Sequence, residues 1–250
     1  MTYAAPEPRR RRGRKPLISR ERIVEAAFEL GIEHLTMAAV ANRLGVSHQS
    51  LYNWVRDRDE LIDLVSDQLV AGIRLPDEPD PEAWRDSLRV LANGLHRIAD
   101  AAPGFAAAAL ARYRTSPGYL DLNESALRVL VDAGFEPAMA QRTYETVVTV
   151  LLGWLAREDA HAPLRANPDR ARIALEVSAA TSGGRHELSS AAALAELTAP
   201  ADERFEFLVH TVLAGLPDPP RAVAGRMKPD TPNLDLRQPV ELVSARLSRD

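Results

Sequence analysis

Residues 36–54, running from Thr36 to Trp54, constrain this chain more than any other stretch. Thr36 is a helix-start residue, and Val40, Ala41 and Leu44 then recur at helical spacing. Gly45 supplies a positive-φ stop, Val46 fills the corner, and Ser47 is placed to cap a second short helix. Leu51 on that helix can fold back onto Ala41 and Val46, where a small residue lets the two helices cross closely. Two helices around such a turn form a helix-turn-helix, whose second helix enters the major groove of DNA.

The flanking charge agrees with that reading. Arg9, Arg10, Arg11, Arg12, Arg14 and Lys15 form a basic run without apolar periodicity, expected to be a flexible arm reaching DNA. Residues 1–58 carry a balance of +5 and residues 59–250 a balance of −9, so the overall charge of −4 conceals a basic head on an acidic body. Such asymmetry is the electrostatic footprint of one end meeting phosphate.

The rest of the chain reads as helix from end to end. Ser19 caps a helix with Ile23, Val24, Ala27, Phe28 and Leu30 inward, closed by Gly31. Asp57 to Glu60 reads as a capping box opening a helix through Leu61, Leu64, Val65 and Leu69. A proline-rich break, Leu75 to Pro81, follows as a hinge between head and body. Helices are then expected over about 82–101, 104–114, 117–133, 137–159, 168–180 and 202–216. No segment alternates with a period of two, so strands are not expected. Gly183 to Glu187 reads as a glycine linker, and residues 217–250, with six prolines, as a disordered tail. The expected organisation is an all-α chain. It comprises an arm (1–18), a three-helix helix-turn-helix domain (19–74), a larger helical ligand-binding and dimerisation domain (75–216), and the tail.

Two helices invite a partner copy. Between Tyr144 and Leu155 the apolar residues nearly encircle the helix, and Phe205, Leu208, Val209, Val212, Leu213 and Leu216 give the last helix a broad apolar face. They are either ordinary core helices or a four-helix interface between two copies, with Thr149 and Gly153 allowing close approach.

Composition narrows the alternatives. A 46% hydrophobic, 26% charged chain of 250 residues can bury a large core. There is no cysteine, so disulfides and thiolate chemistry are excluded. The apolar run from Val147 to Ala156, broken by Thr149 and Gly153, is too short to cross about 30 Å of hydrocarbon. Acidic residues follow the basic start at Glu21, Glu25, Glu29 and Glu33, which no secretion signal tolerates, and a cytoplasmic location is expected. No glycine-rich phosphate loop and no paired metal-binding histidines occur, so no catalytic residue, metal site or cofactor is expected. A sequence-neutral nucleoid protein would explain the arm but leave the acidic body without a purpose.

Residues 19–70 resemble the DNA-binding head of the TetR family of bacterial transcriptional regulators. The match runs through Arg22-Ile-Val-Glu-Ala-Ala27, Leu35-Thr36-Met37, Ala41-Asn-Arg-Leu-Gly-Val-Ser47, Ser50-Leu-Tyr52 and Arg58-Asp-Glu-Leu-Ile62. The body is similar to the tetracycline-repressor type of C-terminal domain through Ala133-Gly-Phe-Glu-Pro137, Tyr144, Gly153 and Arg204-Phe-Glu-Phe-Leu208. The resemblance implies a homodimer that binds a palindromic operator as a repressor and leaves it when a small, mostly apolar effector enters the body. The alternative within the family is an orphan or activating regulator without a ligand. Under the resemblance Ser47, His48, Gln49, Ser50, Tyr52 and Asn53 fall on or at the recognition helix, with Gln49 or Asn53 suited to adenine and His48 to a guanine edge. Thr36, Tyr52 and Arg58 are expected at phosphates, Met37 and Ala38 at the start of the preceding helix are expected among the DNA contacts, and Trp54 is expected to pack inside. Effector contacts are expected among His96, Phe105, Tyr113, Leu127, Tyr144, Val148, Leu151 and Trp154, each of which has ordinary core as its alternative.

Overall fold

A computed structural model of the chain describes residues 18–219 apart from 77–79, 113–115, 182 and 184. The basic arm, Tyr113 and residues 220–250 of the tail therefore lie outside the described residues. Among those described, every regular element is helical, and no helix is long and apolar enough to cross a membrane.

The head begins with α1 (Arg20–Leu30), α2 (Met37–Leu44) and α3 (His48–Tyr52), and α4 (Arg58–Val70) completes it. Side-chain caps set each start. Ser19 Oγ accepts from Arg22 N at 3.3 Å, Thr36 Oγ1 from Ala39 N at 3.1 Å, and Ser47 Oγ from Ser50 N at 3.2 Å. At α4, Asp57 Oδ1 accepts from Glu60 N at 2.8 Å, while Glu60 reaches back to Arg56 N at 2.7 Å, one residue earlier than a standard capping box. Gly45 turns the corner at φ +68°, and Ile23, Val40, Leu51, Leu61 and Val65 close the head's core with no exposed surface. Arg43 Nε donates to Glu29 at 2.7 Å, tying α2 to α1.

The body follows a short 3₁₀ turn (Pro81–Ala83). It contains α5 (Trp84–Ala101), α6 (Phe105–Leu110), α7 (Pro117–Asp132), α8 (Pro137–Arg165), α9 (Pro168–Thr181), α10 (Glu187–Thr198) and α11 (Ala201–Gly215). Helix α8 is the axis: α5, α6, α7, α9, α10 and α11 all pack against it. Leu88, Leu91, Phe105, Leu130, Leu151 and Leu152 fill the space between them. Each such side chain contributes about 1.5–3 kcal/mol by leaving water.

Two elements depart from the sequence expectation. Helix α8 continues through Pro163 to Arg165, six residues past its expected end near Asp159. A proline inside a helix removes a donor and crowds the preceding turn. Here the last turn is held by side chains, because Arg165 grips the Glu158 carboxylate at 2.7 and 2.8 Å and also donates to the Glu158 carbonyl at 3.3 Å. Arg204 of α11, almost wholly buried, joins the same carboxylate at 2.6 Å. The glycine linker is also shorter than expected, since α10 starts at Glu187 where no helix was expected.

The head and body meet through α4, which packs on α1 of the head and on α5, α6 and α7 of the body. Gly118 in the first turn of α7 lies so close to α4 that a Cβ there would stand 2.7 Å from the Asp67 carbonyl oxygen and 3.2 Å from Ala71 Cβ. Its N–H donates to Asp67 Oδ1 at 2.6 Å. Gly118→Ala is therefore expected to lower stability by about 1–3 kcal/mol through overpacking. Urea unfolding of the two proteins measures this, and an unchanged midpoint would show that the two helices have room to part.

Candidate functional site

The recognition surface is built by the caps and turn just described. With Leu51 buried and Ser47 holding the first turn of α3, His48, Gln49, Tyr52 and Asn53 are exposed together, and Ser50 is half-buried. His48 and Tyr52, one turn apart, meet edge to face with ring centroids 5.3 Å apart. Ser47 and Ser50 share a hydroxyl contact at 2.8 Å, so both are committed to holding the helix start. Thr36 and Ala38 are exposed beside this face.

Met37 and Trp54 sit differently from their sequence-based assignment, and Arg58 has partners the sequence did not suggest. Met37 is buried at 7% exposure and belongs to the core. Arg58, an exposed residue, has partners within the head: its Nε donates to the Leu35 carbonyl at 2.6 Å and its Nη2 to the Ile32 carbonyl at 3.3 Å. It therefore helps hold the turn that positions Thr36. Trp54, expected to pack inside, is 41% exposed. Because α3 ends at Tyr52, the inward position after it falls to Val55, which is 1% exposed.

The body contains a half-open cavity of about 380 Å³ between α6, α7 and α8. Ala109, Leu110, Tyr119, Leu120, Tyr144 and Val148 make its apolar wall, and Arg112, Asn123, Gln141, Glu145 and Thr149 its polar one. The polar side is ordered as a relay. Asn123 Nδ2 donates to Gln141 Oε1 at 3.3 Å, and Gln141 Nε2 donates to Glu145 Oε1 at 2.8 Å. Arg112 leaves the cavity wall for α4, pairing with the Asp59 carboxylate, with Asp63 Oδ1 at 3.1 Å and with the Asp59 carbonyl at 3.2 Å.

The expected effector contacts divide accordingly. Tyr144 and Val148 line the cavity. Phe105 and Leu151 are fully enclosed in the core, and Leu127 is partly buried against it. His96 and Trp154 lie elsewhere, with His96 stacked on Phe205 of α11 at 4.1 Å and Trp154 5.7 Å from the same ring. They join α5, α8 and α11 and do not line this cavity. The residues missed, Asn123, Gln141, Glu145 and Thr149, did leave a trace. Tyr119 with Asn123, and Gln141 with Glu145 and Thr149, recur at four-residue spacing beside the apolar stripes.

Near the α5–α6 turn, Gly104 lies close to Glu33 of the head. Asp159 of α8 accepts the Gly104 N–H at 3.0 Å. Burial pushes its carboxyl pKa up, the Gly104 hydrogen bond opposes the shift, and Glu33 of the head, Asp100 and Glu158 add to it by repulsion.

Residues 75–218 match the family described as "Tetracyclin repressor-like, C-terminal domain", which begins where the proline-rich break falls. With the helix-turn-helix ahead of that match, the chain belongs to the TetR family of transcriptional regulators. It is 32% identical over 155 residues to an HTH-type transcriptional regulator of Saccharopolyspora erythraea, covering 60% of this chain and 65% of the relative. It is 33% identical over 118 residues to the HTH-type transcriptional repressor DrrR1 of Streptomyces coeruleorubidus, covering 46% of this chain and 38% of that one. The matches thus span just under two thirds of the first relative and well under half of the second. The crystal structure of the TetR family protein ActR of Streptomyces coelicolor in complex with actinorhodin superposes with a TM-score of 0.64 at 26% identity, over 79% of this chain and 96% of that one.

A raised carboxyl pKa means that the folded chain binds a proton more tightly than the unfolded chain. Stability therefore falls as pH rises from the ordinary carboxylate range through the raised value at Asp159. Asp159→Asn keeps an oxygen for the Gly104 N–H and removes the charge. The variant is expected to be more stable than the parent at pH 7, with the difference vanishing below the ordinary carboxylate range. Thermal unfolding across a pH series checks this, and a variant less stable at pH 7 would contradict it.

Proposed function

We propose that the protein is a repressor that binds a palindromic operator as a homodimer and is released when a small molecule occupies the α6–α7–α8 cavity. One observation carries the reading: Arg112 lines the cavity and is paired with Asp59 and Asp63 on α4, the helix that supports the head. A ligand that displaces Arg112 or parts α6 from α7 acts directly on α4, and Gly118 on Asp67 makes a second point of contact with the same helix. Occupation of the cavity then has different free energies in two head orientations, which is the requirement for control. Repression is supported by the likeness to DrrR1, and a small-molecule effector by the likeness to ActR in its actinorhodin complex.

Assembly follows from uncovered surface. Helix α8 buries Val147, Val148, Leu151, Leu152 and Leu155 but leaves Thr146, Thr149, Val150 and Gly153 exposed, and no atom lies within 4 Å of a Cβ built at Gly153. On α11, Phe207 is 73% exposed. A second copy laid on these two helices makes the four-helix interface and sets two recognition helices about 34–36 Å apart, one turn of DNA. Thr36, Ala38, His48, Gln49, Tyr52 and Asn53 face the duplex in this reading, with the arm residues Arg9 to Lys15 adding sequence-independent affinity.

Gln49→Ala is expected to cost about 1–3 kcal/mol on the palindrome that the full chain protects in a footprint, and little on random DNA. Equal losses on both would remove Gln49 from base reading. Val150→Glu and Phe207→Glu are each expected to shift the sedimenting species from dimer to monomer at micromolar concentration and to weaken operator binding with it. A wild-type chain that sediments as a monomer there would overturn the dimer.

A further inference from the structure

Among the described residues, the charges around the cavity are unevenly matched. Arg112 is already matched by two carboxylates, Asp59 and Asp63. Arg142, three residues before Glu145 on α8, lines an adjoining groove with it, but its Nη1 is directed at Met139 Sδ 3.8 Å away and it forms no ion pair with Glu145. Among the described residues no cation pairs with Glu145, whose Oε1 accepts only from the neutral amide of Gln141. The carboxylate stands beside Tyr119 and Tyr144, two tyrosines buried at 8% and 7% exposure that line the same space.

We propose that the effector is a cationic amphiphile, with an apolar ring-bearing body between Tyr119, Tyr144, Leu110 and Val148 and a protonated amine paired with Glu145. The inference rests on the effector reading above and gives that site its ligand class. A carboxylate next to aromatic rings attracts an ammonium group twice, by ion pairing and by the ring quadrupoles. An anion placed there meets the Glu145 carboxylate, and the one guanidinium of the wall, Arg112, is already engaged by Asp59 and Asp63. The relay from Asn123 through Gln141 holds Glu145 in place and leaves its second oxygen for the ligand. The volume, about 380 Å³, lies near the lower end of small-molecule sites, which run to about 300–1,000 Å³, so the body is a compact ring system.

Three probes of one shape test the charge alone: pyrenemethylamine, pyrenemethanol and pyrenecarboxylate. Binding to the full chain without DNA is measured by calorimetry and by pyrene fluorescence. The amine is expected to bind about tenfold more tightly than the alcohol, and the carboxylate least tightly. Glu145→Gln is expected to remove the amine's advantage while the alcohol binds as before, and Glu145→Asp to keep part of it. The melting temperatures of both variants without probe report whether the fold is retained. Binding of all three probes with no preference for the amine, or a preference that survives Glu145→Gln, overturns the ligand class and leaves the cavity as an effector site. Failure of all three to bind overturns the cavity itself and the effector reading with it.

Discussion

The structure depends on α4 belonging to two cores at once. Its Leu61 and Val65 close the head, while Asp59, Asp63 and Asp67 spaced four residues apart along one side take Arg112 and the Gly118 N–H from the body. Four-residue spacing puts the three carboxylates on one face of the helix, one turn above another. An apolar contact alone would let the two halves slide, since burial has no direction. Charge-assisted hydrogen bonds to fixed oxygens set both distance and angle.

The same geometry explains why the cavity wall is mixed in character. Helices α7 and α8 each turn an apolar stripe to the core, and the cavity lies at the edge of those stripes, where the four-residue neighbours are Asn123, Gln141, Glu145 and Thr149. Polar groups at such an edge keep their partners: the amides satisfy one another and the carboxylate. A wall of this kind fixes the orientation of a ligand as well as holding its apolar part.

The head was more legible in the sequence than the body, for a physical reason. Its caps at Ser19, Thr36, Ser47 and Asp57 and its turn at Gly45 are local devices whose residues and partners lie within four positions of each other. Helix α10 escaped notice because it has no buried residue and no side-chain cap, so neither periodicity nor a start signal marks it. The hydrogen bonds of Arg58 to the α1–α2 turn and the exposure of Trp54 depend on how α3 and α4 sit against that turn, which no spacing along the chain encodes. The cavity is likewise a product of three helices from distant parts of the chain. Its apolar members Tyr144 and Val148 were visible on one helix, and their polar neighbours needed the third dimension.

The way α4 is shared also determines where the chain can be divided. The proline-rich break at Leu75 to Pro81 looks like a seam between two exchangeable modules, and the family match begins there. The contacts place the working seam earlier, along the side of α4 that carries positions 59, 63 and 67. A head transplanted from a relative with other residues at those positions would keep its own core and its exposed α3 face, yet arrive without the oxygens that Arg112 and Gly118 require. Modularity in this chain therefore has a grain: the exposed positions of α3 can drift freely, whereas one face of α4 must change in step with the body.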